Sequence, residues 1–185
     1  MIKLGHRHEA ACLSLSGITL RCDGEIVFRG SGILGNGSAI CVKRGARLEF
    51  GRNFGMTGET KIHCHEAIKI GDNFSCSWQV EISDTDMHST TNMLTGEPKP
   101  ETRPVAIGAQ VWVCQHSMIA KGTVLPSWTT LASHSLANKA YDAEPYTVIA
   151  GMPAKPTSAK IRRNDVLKVS QSNGWMITRG LRTFG

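Results

Sequence analysis

The segment Ile82-Ser-Asp-Thr-Asp-Met-His88 sets one imidazole beside two carboxylates, Asp84 and Asp86. A neutral imidazole with an ordinary pKa of about 6.5 can accept a proton near neutral pH, which makes His88 a candidate general base. A carboxylate on the other ring nitrogen would fix the tautomer and steady the imidazolium, and Asp84 and Asp86 are the local candidates. The remaining histidines promise less. His63 and His65 flank Cys64 and point to the same side of a strand, but no third metal ligand accompanies them, so no metal site is assigned. His116 and His134 fall at outward or corner positions, where His116 could touch a substrate. Cys64 and Cys76 occupy inward positions and Cys114 has no local base, so a thiol nucleophile is not expected.

What must position His88 is a repeat. Between Val105 and Lys139 the chain divides into hexads beginning at Ile107, Val113, Ile119, Leu125 and Leu131. Each starts with a branched aliphatic residue and carries a small or β-branched one at its fifth position, namely Val111, Ser117, Thr123, Thr129 and Ser135. Side chains alternate along a strand, so the fifth residue and the next first residue face the same way. Six residues make a short strand plus a corner, and three such edges close a coil of about 18 residues whose stacking buries a continuous core. An internal period of two excludes an amphipathic helix. The same phase appears at Ile62/Cys64, Ile68/Ile70, Phe74/Cys76 and Val80/Ile82. Ile40/Val42 and Ala46/Leu48 also fit, with two extra residues before Ile62 expected as a bulge near Gly55 to Gly58. Residues from Ile18 to Ile33 are read as irregular first coils.

The repeat has one long break. After Ile82 the next inward position is due at residue 88 but arrives at Ile107, so about 83–104 holds a 19-residue insertion that carries Asp84, Asp86 and His88. Excursions of this length from a regular solenoid gather on functional faces.

The hexads, the closing Ala150-Gly-Met-Pro-Ala-Lys155 and the segment Ile82 to His88 together resemble the hexapeptide-repeat acyltransferases, in the maltose, galactoside and capsular-polysaccharide O-acetyltransferase branch. That resemblance implies a left-handed parallel β-helix, acetyl-CoA as co-substrate without a required metal, and a homotrimer with active sites at subunit boundaries. It implies His88 as the base for direct acetyl transfer to a hydroxyl of a sugar or glycan precursor. Trp112, Ser133, Lys139, Gly151, Pro153 and Lys155 match positions along the coenzyme, with Arg162 and Arg163 as further cations, and Trp128 could stack on adenine or on a neighbouring subunit. Ser133-His134 stands where relatives often carry Ala-Gly, which alters the thioester tunnel. Two alternatives share the scaffold: N-acetylation of an amino sugar nucleotide or antibiotic, and a zinc-dependent carbonic-anhydrase-like β-helix. A silent scaffold is a third.

Composition agrees with one ordered domain of 185 residues, 41% hydrophobic and 19% charged. The expected division is a β-helix over 1–160 and a cap or tail over 161–185, with a short helix beginning near Ser158. The net charge of +6 is concentrated late in the chain, which suits a phosphorylated small molecule, and no nucleic-acid module is recognisable. No apolar run suggests a membrane span, and the first twelve residues lack an apolar signal core, so the cytoplasm is the expected address. The six cysteines read as buried thiols, without CxxC pairs.

Overall fold

Short strands separated by tight corners wind into a three-sided parallel β-solenoid in the computed structural model, which describes residues 1–6 and 17–164. The first face stacks Ile2–His6, Gly32–Asn36, Phe54–Gly58, Ser75–Cys76, Trp112–Val113, Thr130–Leu131 and Thr147–Gly151. The second runs from Thr19–Cys22 through Ala39–Val42, Lys61–Cys64, Glu81–Ser83 and Met118–Ile119 to Leu136–Ala137. The third runs from Glu25–Phe28 through Arg47–Phe50, Ala67–Ile70 and Val105–Ile107 to Val124–Leu125. The parallel β-helix expected from the hexads is the class observed.

The inward residues are those the repeat nominates. Val113, Ile119, Leu131 and Ala137 are fully buried, as are Ile62, Cys64 and Ile82. Below them Phe50 and Phe54 stack with centroids 4.6 Å apart. The small fifth residues do more than leave room. The Ser117 hydroxyl donates to Ala132 O at 2.8 Å, Thr123 to Ala137 O at 2.9 Å and Thr129 to Pro126 O at 2.7 Å. At Ser117 and Thr129 the hydroxyl therefore satisfies a corner carbonyl outside the strand ladder, whereas Ala137 O also accepts from Ala120 N.

Two of the three corners turn through the left-handed backbone region largely on residues other than glycine. Asn53, Asn73, Gln110, Trp128 and Tyr146 form one column with positive φ, and Glu59, Gln79, His116 and His134 form another. Such residues are disfavoured locally, but each donates its amide to the coil below. Trp128 N bonds to Ala109 O at 2.8 Å, and His134 N to Gln115 O at 3.2 Å.

The third corner, between the second and third faces, absorbs the irregularities in coil length between Leu20 and Leu131. Between Phe28 and Ala137, inward residues advance by six from first to second face and from third to first, as from Met56 to Ile62 and from Ile70 to Cys76. From the second face to the third they advance from Ile40 to Phe50, from Ile62 to Ile70, from Ile82 to Ile107, and only then by six, from Ile119 to Leu125. This corrects two expectations. Gly55 to Gly58 is a regular strand in register with Ile33 to Asn36, and the extra residues lie at the corner between Val42 and Leu48, where Leu48/Phe50 are the inward pair. The stretch from Ile18 to Ile33 is a full parallel turn in register with the next, with Leu20 opposite Ile40 and Phe28 opposite Phe50.

A third correction concerns the end of the solenoid. Ala154–Lys160 is a strand that folds back antiparallel on Thr147–Gly151, with Ala150 opposite Lys155. The helix expected from Ser158 is thus a strand as far as Lys160, and its remainder from residue 165 lies outside the described residues. An antiparallel strand covers the open edge that the last coil would otherwise present.

Candidate active site

The insertion leaves the irregular corner as an antiparallel arm. Thr90–Thr91 pairs with Pro98–Lys99, and an isolated bridge joins Thr85 to Thr102. His88 lies on the outgoing limb with an exposed side chain, and among the described residues no group bonds to its imidazole. Its backbone, by contrast, is held. Thr85 Oγ1 accepts from Met87 N at 2.8 Å, Met87 turns through φ 60°, and Asp86 N donates to Glu101 O at 3.0 Å.

The two carboxylates have separate partners. Asp84 is completely buried, and its two oxygens accept from His65 N at 2.7 Å and Glu66 N at 2.8 Å. It caps the corner one coil below and, within this chain, does not bond to His88. The sequence held a signal for this: Asp84 follows inward Ile82 by two and stacks where Cys64 sits, so strand parity turns it inward. Asp86 pairs with Lys121 Nζ at 2.5 Å. Lys121 was not among the residues picked from the sequence, because nothing local marks a lysine in one hexad as the partner of an arm 35 residues earlier.

His65 sits beneath the arm with its side chain 16% exposed, and its buried Nδ1 lies 3.9 Å from Glu101 Oε1. Its ring is therefore covered, not free on the outer surface as its strand phase suggested. Among the described residues no three histidines, cysteines or acidic groups converge as a metal set within the chain.

The candidates for coenzyme contact occupy other edges. Ser133 is exposed at the corner between first and second faces, beside His134, whose ring stacks on His116 at 4.8 Å. The Ser135 hydroxyl below accepts from Gly151 N at 3.0 Å, which brings the Gly151–Pro153 turn to the same corner. Trp112 lies on the first face with the Arg163 guanidinium over its ring at 5.7 Å. Lys155 is exposed on the closing strand. Lys139 stands apart from these: its carbonyl accepts from Val124 N, on the same corner as the arm, and its ammonium lies 5.6 Å over the Tyr141 ring. Within one chain, then, His88 and Lys139 share one corner, whereas Ser133, Gly151 and Pro153 share another.

The thiols are poor nucleophiles. Burial, helped by the charge of Asp84, pushes Cys64 up to about 12, and burial alone takes Cys76 to about 12. Burial also raises Cys114.

Comparison with known proteins adds an independent line. The chain is 28% identical to the galactoside O-acetyltransferase of Escherichia coli over 111 residues, which is 60% of this chain and 53% of that enzyme. It thus spans about half the length of the curated relative it matches. Among solved structures it is similar to a variant of AntD, an N-acyltransferase from Bacillus cereus in complex with dTDP and coenzyme A. The TM-score is 0.62, with 16% identity over 78% of each chain. It is also similar to NeuO, a polySia-specific acetyltransferase, with a TM-score of 0.55, 16% identity and coverage of 81% of this chain and 74% of that one. A hexapeptide transferase family protein from Anaplasma phagocytophilum gives 0.56, with 17% identity over 81% of this chain and 79% of that one. No model of a known protein family matches the chain. The resemblance carried by the hexads and by Ala150 to Lys155 therefore holds: the chain has the fold of the hexapeptide-repeat acyltransferases and shares sequence with one of them.

Proposed function

We propose that this protein is an acetyltransferase that moves the acetyl group of acetyl-CoA directly to a hydroxyl of a sugar or glycan precursor, with His88 as general base. The observation that carries the reading is the arm. One corner of an otherwise regular solenoid extrudes an insertion whose base is firmly held and whose imidazole is exposed and unbonded. In the proposed reaction the imidazole takes the acceptor's hydroxyl proton as its oxygen attacks the thioester carbonyl. A backbone amide or solvent stabilises the oxyanion, the carbon–sulfur bond breaks, and the imidazolium proton passes to the departing thiolate. The cationic residues Lys139, Lys155, Arg162 and Arg163 supply charge for the coenzyme phosphates. The sequence similarity to a galactoside O-acetyltransferase favours a hydroxyl acceptor over an amine.

The working unit in this proposal is a homotrimer. The His88 corner and the Ser133–Pro153 corner lie on different edges of one prism, so a neighbouring copy is needed to bring them together. Outward apolar residues on the two faces that flank the arm corner, Met118, Val124 and Leu136, suit such a contact.

The experiment is His88→Ala in a free-thiol assay with sugar acceptors. Removal of a general base lowers kcat by roughly 10²–10⁴, with little change in acetyl-CoA affinity. A variant with normal kcat refutes the mechanism.

A further inference from the structure

The His88 imidazole makes no bond of its own, so its placement rests on the backbone that carries it. Two side chains hold the arm where it leaves the coil. Asp84 secures it from below through the amides of His65 and Glu66. From above, Lys121 reaches across both limbs. Its ammonium pairs with Asp86 on the outgoing limb at 2.5 Å and donates to the carbonyls of Pro100 at 2.5 Å and Glu101 at 3.3 Å on the returning limb. An ammonium has three protons, and these three acceptors match them. The next residue continues the contact, since Gly122 N donates to Arg103 O at 3.1 Å and the Arg103 side chain packs over Gly122. The Lys121 side chain is only 15% exposed, so these bonds are largely shielded from water, unlike an ordinary surface pair.

Resting on the acetyl-transfer reading above, we infer that Lys121 is a positioning residue: it clamps the two limbs of the arm and so fixes the direction from which His88 meets the acceptor. Asp86 is its anchor on the limb that bears the base, two residues before His88. A largely covered ammonium shared between both limbs resists hinge motion at the arm's base. Small errors in the placement of a reacting group carry a disproportionate loss of rate, about a hundred-fold for a displacement near 1 Å.

The test uses the full chain and compares Lys121→Met, which keeps the apolar stem, with Lys121→Arg, which keeps the charge and donors. Lys121→Met is expected to lower kcat by roughly ten- to a hundred-fold, with the KM for acetyl-CoA within about two-fold and Lys121→Arg recovering most of the rate. The discriminating measurement is the double variant. If Lys121 acts through His88, Lys121→Met removes nothing further from His88→Ala, because coupled residues are not additive. Should Lys121→Met not fold, Asp86→Asn breaks the same clamp from its exposed side and is expected to show the same dependence on His88. The inference is overturned if kcat survives Lys121→Met, or if its loss recurs in full on the His88→Ala background. Full activity in His88→Ala overturns the catalytic reading and this inference with it, whereas failure of the Lys121 arm alone leaves the base in place.

Discussion

Replacing Asp84 by Ala tests whether this carboxylate is a structural cap or a partner of the base. It is completely buried and accepts two backbone N–H bonds, from His65 at 2.7 Å and Glu66 at 2.8 Å. Hydrogen bonds to a charged group contribute about 1.5–3 kcal/mol each, and deletion leaves two partly covered amides without a partner. Summed over the two bonds, the loss is on the order of 3–6 kcal/mol. For a domain of this size that corresponds to a fall in Tm of roughly 6–24 °C. Circular dichroism on heating gives the Tm, and the acetyltransferase assay well below the transition gives kcat for the same preparation. Asp86→Asn, exposed on the arm, is the control and leaves Tm within a few degrees of the parent. A Tm unchanged in Asp84→Ala, with kcat reduced, would refute the cap and return Asp84 to His88.

Other outcomes follow from the same geometry. Gly35→Ala places a Cβ 1.9 Å from the Thr57 carbonyl oxygen, a backbone atom that cannot rotate away, so the variant should lose several kcal/mol or fail to fold in a urea titration, on the order of the largest overpacking costs. The thiol of Cys76 is held protonated to about 12 against an ordinary 9.0, so unfolding releases a proton at alkaline pH. Stability conferred by this group is therefore complete below pH 9 and declines as pH rises from 9 toward about 12, so the urea midpoint should drop over that range, less so in Cys76→Ala. In native protein at pH 8 a thiol reagent should modify exposed Cys22 and spare Cys64 and Cys76. Finally, Lys139→Ala with Lys155→Ala should weaken coenzyme A binding several-fold in calorimetry at low salt, and the difference should shrink in high salt as exposed charges are screened. Equal affinity at low salt would move the phosphates elsewhere.

The alternation of small and branched residues from Val105 to Lys139 is enough to specify the solenoid, because period six with an internal period of two can be buried in only one way. It determines which residues fill the core, and Ile82, Val113, Ile119 and Leu131 are all inside. The same arithmetic located the insertion and with it His88. It did not reveal where coil length is adjusted. The additional residues after Val42 and Cys64 and the whole arm fall on one corner, and choosing that corner requires pairing strands 20 to 37 residues apart. Nor did it separate the two carboxylates. Asp84 and Asp86 are equivalent as neighbours of His88 in the chain, yet the burial of one and the lysine facing the other come from the coils below and above. Lys121 and the covered ring of His65 belong to the same class of fact. A repeat fixes what each residue's phase is, but contacts across the stack are set by the residues one coil away, and these only the tertiary structure brings together.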